Sequence, residues 1–155
     1  IEKSREESGG CEAQAATLAW LLSGLSAEAI QSFDDIFAAK RAEAYRWDLW
    51  GAAYLISGGC SNDGFEYFRC WLIGQGREVF MNALENPDSL ADVLPDDEDD
   101  FECEDLLYAA DRAHEDLMGE ALPPRTYSVP SEPLGSRWDE DNLAGMFPRL
   151  AAKFQ

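Results

Sequence analysis

The chain is short of the groups most catalytic and metal centres are built from. In 155 residues it has one histidine, four cysteines with no Cys-x-x-Cys pair, and 12 lysines and arginines against 31 aspartates and glutamates. A lone His114, far from Cys60-Ser61 in sequence, gives no Ser-His-Asp or Cys-His signature, and a nucleophile needs a base within reach. One histidine and four scattered cysteines give no zinc spacing. The shortage of cations leaves no basic groove for a phosphate backbone, so nucleic acid and anionic lipid are excluded as partners. No apolar run approaches the ~18 residues of a membrane span. The opening IEKSREESGG has no secretory hydrophobic region and reads as the end of a helix that begins before Ile1. Cys11, Cys60, Cys70 and Cys103 are read as unbridged, because a core of this size needs no staple and Cys60 and Cys70 sit in apolar surroundings. That points to a reducing compartment, the cytoplasm.

What is present is acid and helical periodicity. The net charge is −19, and hydrophobic residues make up 46% of the chain, enough for one core in a single domain. The spacing predicts a helix over 11–22, from Leu18, Leu21, Leu22 and Leu25, closed by Gly24 in a left-handed cap. Ser26 caps the next helix. Its inner face is Ile30, Phe33, Ile36 and Phe37, and its wet face Asp34, Asp35, Lys40 and Arg41. Trp47, Trp50, Ala53 and Tyr54 continue the pattern until Gly58 and Gly59 allow a sharp reversal. Asp63 is expected to cap a helix carrying Phe65, Phe68, Trp71 and Leu72 on its buried face, with Glu66 completing a capping-box variant. A helix over 77–84 follows, then the start signal Asn86-Pro87-Asp88 and a short helix over 89–94.

From residue 85 to 120 there are fifteen acids and one arginine, yet Phe101, Leu106, Leu107, Ala110 and Leu117 keep a helical stripe, so one helix is expected over 101–118. Residues 121–137 hold four of the seven prolines and read as a long irregular strap, which Trp138 pins to the core. Leu143, Phe147, Leu150 and Phe154 mark a final helix that Pro148 kinks or splits. The fold class is all-α: a compact multi-helix domain with a Pro-rich strap before the C-terminal helix.

Taken together, GGCSNDGFEYFRCWLIGQGREVF and the following NPDSL, with Trp47, Asp48 and Trp50 ahead of them, resemble the bacterial domain-of-unknown-function family DUF 4240. The carrying residues are Gly58, Gly59, Cys60, Ser61, Asp63, Phe65, Phe68, Arg69, Trp71, Leu72, Gly76, Pro87, Asp88 and Leu90. The resemblance spans roughly the first hundred residues and leaves the acidic helix, strap and C-terminal helix over 96–155 without a motif. It implies a bacterial cytosolic helical domain and brings no activity with it. Asn62 stands where the family usually has an acid, so a role for that acid does not carry over.

Two candidate sites emerge. Asp48, Ser61, Asn62, Asp63 and Arg69 could line a small polar pocket at a helix start, where free N–H groups favour an anion. Structurally, the same residues are a cap and a charged tie, Arg69 finding a carboxylate in Asp48 or Asp63. The run Asp96, Asp97, Glu98, Asp99, Asp100, Glu102, Glu104 and Asp105 could face a basic partner. As a calcium loop it lacks the glycine and the ligand spacing, so no metal and no cofactor are expected. Aromatics at helical spacing are core before they are a stacking platform. The function expected is non-enzymatic: a binding protein, inhibitor- or immunity-like, whose acidic face docks a basic protein. The alternative is an enzyme or small-ligand sensor using the 58–64 turn. A third reading is a solubilising module of a larger assembly.

Overall fold

A computed structural model describes residues 1–7, 9–95, 100–125 and 130–154. The elements, in order, are α1 (Glu2–Glu6), α2 (Cys11–Ser23), α3 (Ala27–Glu43), α4 (Trp47–Ile56), α5 (Asn62–Gly74), α6 (Arg77–Glu85), a 3-10 turn at Pro87–Asp92, a second at Glu104–Tyr108, α7 (Ala109–Met118), a third at Glu140–Asn142, α8 (Leu143–Met146) and α9 (Pro148–Phe154). The fold is all-α, and its one β-type contact among the described residues is a parallel bridge between Arg46 and Leu134.

The local reasons mostly follow side-chain chemistry. Ser26 accepts from Ala29 N at 3.3 Å and starts α3. Gly58 and Gly59 reverse the chain at φ +63° and +135°, conformations a Cβ would oppose. Pro148 splits the last helical stretch, as its missing N–H requires, and becomes the first residue of α9. Several expectations are corrected. Ser61, not Asp63, caps α5, accepting from Gly64 N at 3.0 Å, because its shorter side chain is the one in extended backbone just before the first turn. Gly24 ends α2 at φ −81°, in the right-handed region. Residues 101–118 are not one helix: Phe101 and Cys103 precede the 3-10 turn, and α7 begins at Ala109. The stretch after Asn86 is likewise 3-10, over Pro87–Asp92.

Packing turns α3 differently from the expected inner and wet faces. α7 lies along both α2 and α3, so the face of α3 carrying Asp34 and Arg41 is covered, at 4% and 6% exposure, while Ile36 is 61% exposed. Asp34 is matched by Arg125 of the strap, whose guanidinium grips both carboxylate oxygens. The strap is tied again where Leu134 N donates to Tyr45 O and Trp47 N to Leu134 O, each at 2.9 Å. Trp138 lies against Trp47 and Tyr54. A Cβ on Gly51 would stand 2.9 Å from Trp138 Cδ1 and 2.8 Å from Leu143 Cδ2, so α4 accepts the strap and α8 because that position has no side chain.

Buried Asp88 belongs to another helix's cap. Its carboxylate accepts from Arg149 N at 3.1 and 3.2 Å and from Leu150 N at 2.9 Å, supplying acceptors to the open N–H groups of α9. Asp88→Ala is expected to lower the unfolding free energy by about 1–2 kcal/mol. Asp88→Asn, which keeps one acceptor oxygen, should cost less. Denaturant titration of both variants checks the order.

Candidate functional site

Aromatic side chains gather at the α4–α5 reversal. Trp47 stacks on Trp50 at 5.3 Å between centroids, Trp50 on Phe65 at 4.9 Å, Phe65 packs near Phe68 at 6.4 Å, and Phe68 near Trp71 at 5.6 Å. Phe101 meets Trp71 edge-on at 5.3 Å. Phe65, Phe68 and Phe101 are core and Trp50 and Trp71 pack partly buried against it, as their helical spacing predicts, whereas Trp47 is half-buried at its edge. Trp50 Nε1 donates to Cys60 O at 3.0 Å, which fixes the chain as it leaves the double glycine.

The five polar candidates at this reversal do not converge. Asp48 forms a bidentate pair with Arg46, at 3.0 and 2.9 Å, and accepts from Leu49 N at 2.8 Å. Ser61 is the α5 cap, and Asn62 and Asp63 are exposed in the first turn. Arg69 is buried without the carboxylate expected of it. It donates to Phe65 O at 3.3 Å and Arg41 O at 2.8 Å, and its guanidinium lies 4.6 Å from the Tyr45 ring centroid and 5.1 Å from that of Phe65. Carbonyl oxygens and ring faces supply the negative potential a carboxylate would have supplied. Burial still draws the Arg69 pKa down, with nearby Arg41 adding to it and Glu66 opposing.

Arg41 is the second buried guanidinium in this region. Glu66 meets it at 3.3 Å, and its Nε is buried without a partner. Cys70, packed beside both arginines, has its thiol pushed up to about 12 by burial, which outweighs the two cations. Burial, with Glu102 adding to it, also raises Cys60 to about 12. Thiols held this high are poor nucleophiles at neutral pH. From an ordinary value of 9.0 to about 12, the thiolate fraction at pH 8 falls roughly a thousandfold. Alkylation of Cys60 and Cys70 in the native protein is expected to slow by about that factor relative to the denatured chain. Because folding raises both values, the stability they contribute is complete below about pH 9 and is lost as the pH rises towards 12. Thermal unfolding across that window should show the loss, and Cys70→Ala should reduce it, leaving the part due to Cys60.

His114 is no surface residue. It is 5% exposed, with Nδ1 2.9 Å from Glu120 O, where it closes the end of α7. The remaining cysteines are joined: Cys11 and Cys103 form a disulfide across 92 residues of sequence, against the expectation of four free thiols. Spacing could not reveal this, since the pairing depends on α7 and its 3-10 lead-in packing along α2. Beside the bridge lies a cleft of about 480 Å³, lined among others by Arg5, Gln14, Trp71, Asp100 and Glu102. Arg5 donates to Gln75 O at 2.6 Å, and Gln14 to Gly74 O at 2.8 Å.

Of the acidic candidates, Asp96, Asp97, Glu98 and Asp99 lie outside the described residues. Asp100, Glu102 and Glu104 are exposed, alternating with buried Phe101 and Cys103. Asp105 pairs with Arg112 at 3.0 Å. Glu102 leans over the first turn of α5: a Cβ on Gly64 would stand 2.6 Å from its Oε1, and partial burial, with Asp100 adding, raises its pKa. Among the described residues no group of three or more His, Cys, Asp or Glu side chains is placed to hold a metal ion. No helix among them is long and apolar enough to cross a membrane.

The model of a family of proteins of unknown function, DUF4240, matches residues 1–116. The chain belongs to this family. The match runs past the first hundred residues into α7, so the DUF4240 unit includes both bridge cysteines, Asp88 and the described acidic segment. The strap and α9, which cover Asp34 and use Asp88, lie beyond it. No curated protein and no solved structure matches the chain.

Proposed function

We propose that this DUF4240 protein is a non-enzymatic bacterial binding protein whose acidic face docks a basic partner, as an inhibitor or immunity protein does. One observation carries the reading. Along 100–120, Asp100, Glu102, Glu104, Glu115, Asp116 and Glu120 are exposed, and among them stand Tyr108, Leu117 and Met118, each 44–51% exposed. Carboxylates with no ion pair among the described residues, set around a few partly apolar anchors, suit charge-steered encounter followed by local burial. The residues that could have carried catalysis are otherwise engaged: Ser61 caps a helix, Cys60 and Cys70 are held as thiols, and His114 meets a carbonyl. The small-ligand alternative at the 58–64 turn has less support, because Asp48 pairs with Arg46 and Arg69 is buried against carbonyls and rings, while Asp63 stands exposed apart from both. We keep the bacterial cytoplasm as the location on the family resemblance alone, because the Cys11–Cys103 bond removes the argument from four unbridged cysteines.

The test is capture of basic proteins of defined sequence on the immobilised chain at about 50 and 300 mM salt, within the range where screening of exposed charges changes steeply. Capture is expected to fall at least tenfold at the higher salt, and in Glu115→Lys/Asp116→Lys at the lower. Binding indifferent to both salt and charge reversal would refute the reading.

A further inference from the structure

We infer that the Cys11–Cys103 bond is a reducible clamp that sets the order of the acidic segment 100–105. The inference rests on the cytoplasmic placement above, since a disulfide there is as a rule transient or redox-sensing and not a permanent staple. The bond joins two parts of the chain held unequally by everything else. On one side, Cys11 opens α2 directly after Gly9 and Gly10, both exposed, with Gly10 at φ +143°. On the other, Cys103 sits in a stretch anchored by Phe101, Leu106 and one backbone bond, Cys103 N to Tyr67 O at 3.0 Å. Its carboxylates make only light contacts: Glu102 leans over Gly64, Glu104 accepts from Tyr108 OH at 3.3 Å and Asp100 from Glu102 N at 3.1 Å, and among the described residues none of the three has an ion pair that holds the stretch down. Without the bond, Phe101 stays packed against Trp71 and Phe154, while the acidic residues on either side of Cys103 lose their covalent tie to α2.

Access to the two sulfurs is unequal too. Both cysteines line the cleft of about 480 Å³, but Cys103 is 2% exposed, whereas Cys11 is half-buried. A reductant therefore reaches Cys11 Sγ. One thiolate of a dithiol attacks it, the Cys11–Cys103 bond breaks, and Cys103 leaves as a thiolate that takes up a proton. The second thiol of the reductant then displaces Cys11 from the mixed disulfide. The protein gains two electrons and two protons, and the dithiol is oxidised to its disulfide. Cys60 and Cys70 take no part, being held in the thiol form. Asp100 and Glu102 at the cleft, with a net charge of −19, disfavour anionic thiols, so a neutral dithiol acts faster than glutathione at low salt.

The test uses the full chain in native buffer. Excess dithiothreitol is expected to raise the thiol count from two to four without loss of helical circular dichroism, and oxidised dithiothreitol to reverse it. Hydrogen exchange of amides 100–106 should speed up at least tenfold on reduction while α4, α5 and α6 keep their protection. Cys11→Ser/Cys103→Ser should fold and reproduce the reduced pattern. A bond that resists dithiol until the protein unfolds, a general loss of protection on reduction, or a double variant that fails to fold would each make it a static staple and overturn the inference. Equal salt-sensitive capture of a basic partner in both redox states would leave the docking reading standing and remove the regulatory one.

Discussion

Replacing Phe65 with alanine is expected to lower the unfolding free energy by about 3–5 kcal/mol, the largest effect of any single change considered for this protein. Phe65 is fully buried and is the branch point of the aromatic array: Trp50 stacks on it, Tyr45 and Phe68 flank it, and the Arg69 guanidinium lies over its face. Truncation therefore removes transfer energy, opens a cavity, and takes one ring face away from a buried cation. Phe65→Leu refills most of the volume but not the ring face, so it should fall between alanine and wild type. The measurement is the denaturant midpoint of each variant, with the slope unchanged if only the native state is affected. A loss below about 1 kcal/mol for alanine would mean the array is loosely packed.

The second large effect is expected at Glu66. Arg41 and Arg69 are two buried guanidiniums with one carboxylate nearby, and Arg41 Nε already lacks a partner. Removing one member of a buried pair costs about 3–5 kcal/mol in general. Glu66 has a side chain 36% exposed, which screens the pair, so about 2–3 kcal/mol is expected for Glu66→Ala. Arg41→Met in the same background should restore most of the loss, since it removes the uncompensated charge and keeps the packing volume. The double-mutant cycle reads the coupling directly. A fully additive double variant would show that the two residues do not interact.

How legible the molecule was depends on the range of the interactions. α3, α5 and α6 were readable because Ser26, the double glycine and the spacing of Phe65, Phe68 and Trp71 act within a turn or two of themselves. The cap of α5 was misplaced by two residues because Ser61, Asn62 and Asp63 are all good caps, and only the backbone angles choose between them. The face of α3 was misjudged because Asp34 and Arg41 look like solvent residues until a strap arginine and Glu66 are brought to them. Arg69 was expected to find a carboxylate in Asp48 or Asp63, but its partners are carbonyls and rings, which no charge pattern shows. The five pocket candidates do not converge for the same reason: Asp48, Ser61 and Arg69 are engaged by different neighbours, while Asn62 and Asp63 stay exposed.

By itself, then, the sequence determined the helical class, the aromatic core, the reversal at Gly58 and Gly59 and the acidic character, since periodicity, glycine backbone freedom and net charge are local or additive. Only the tertiary structure decided the Cys11–Cys103 bond, the Asp34–Arg125 pair, the capping of α9 by Asp88 and the burial of His114. Each of these joins groups whose proximity is set by how helices pack, and residue type and spacing carry no record of that.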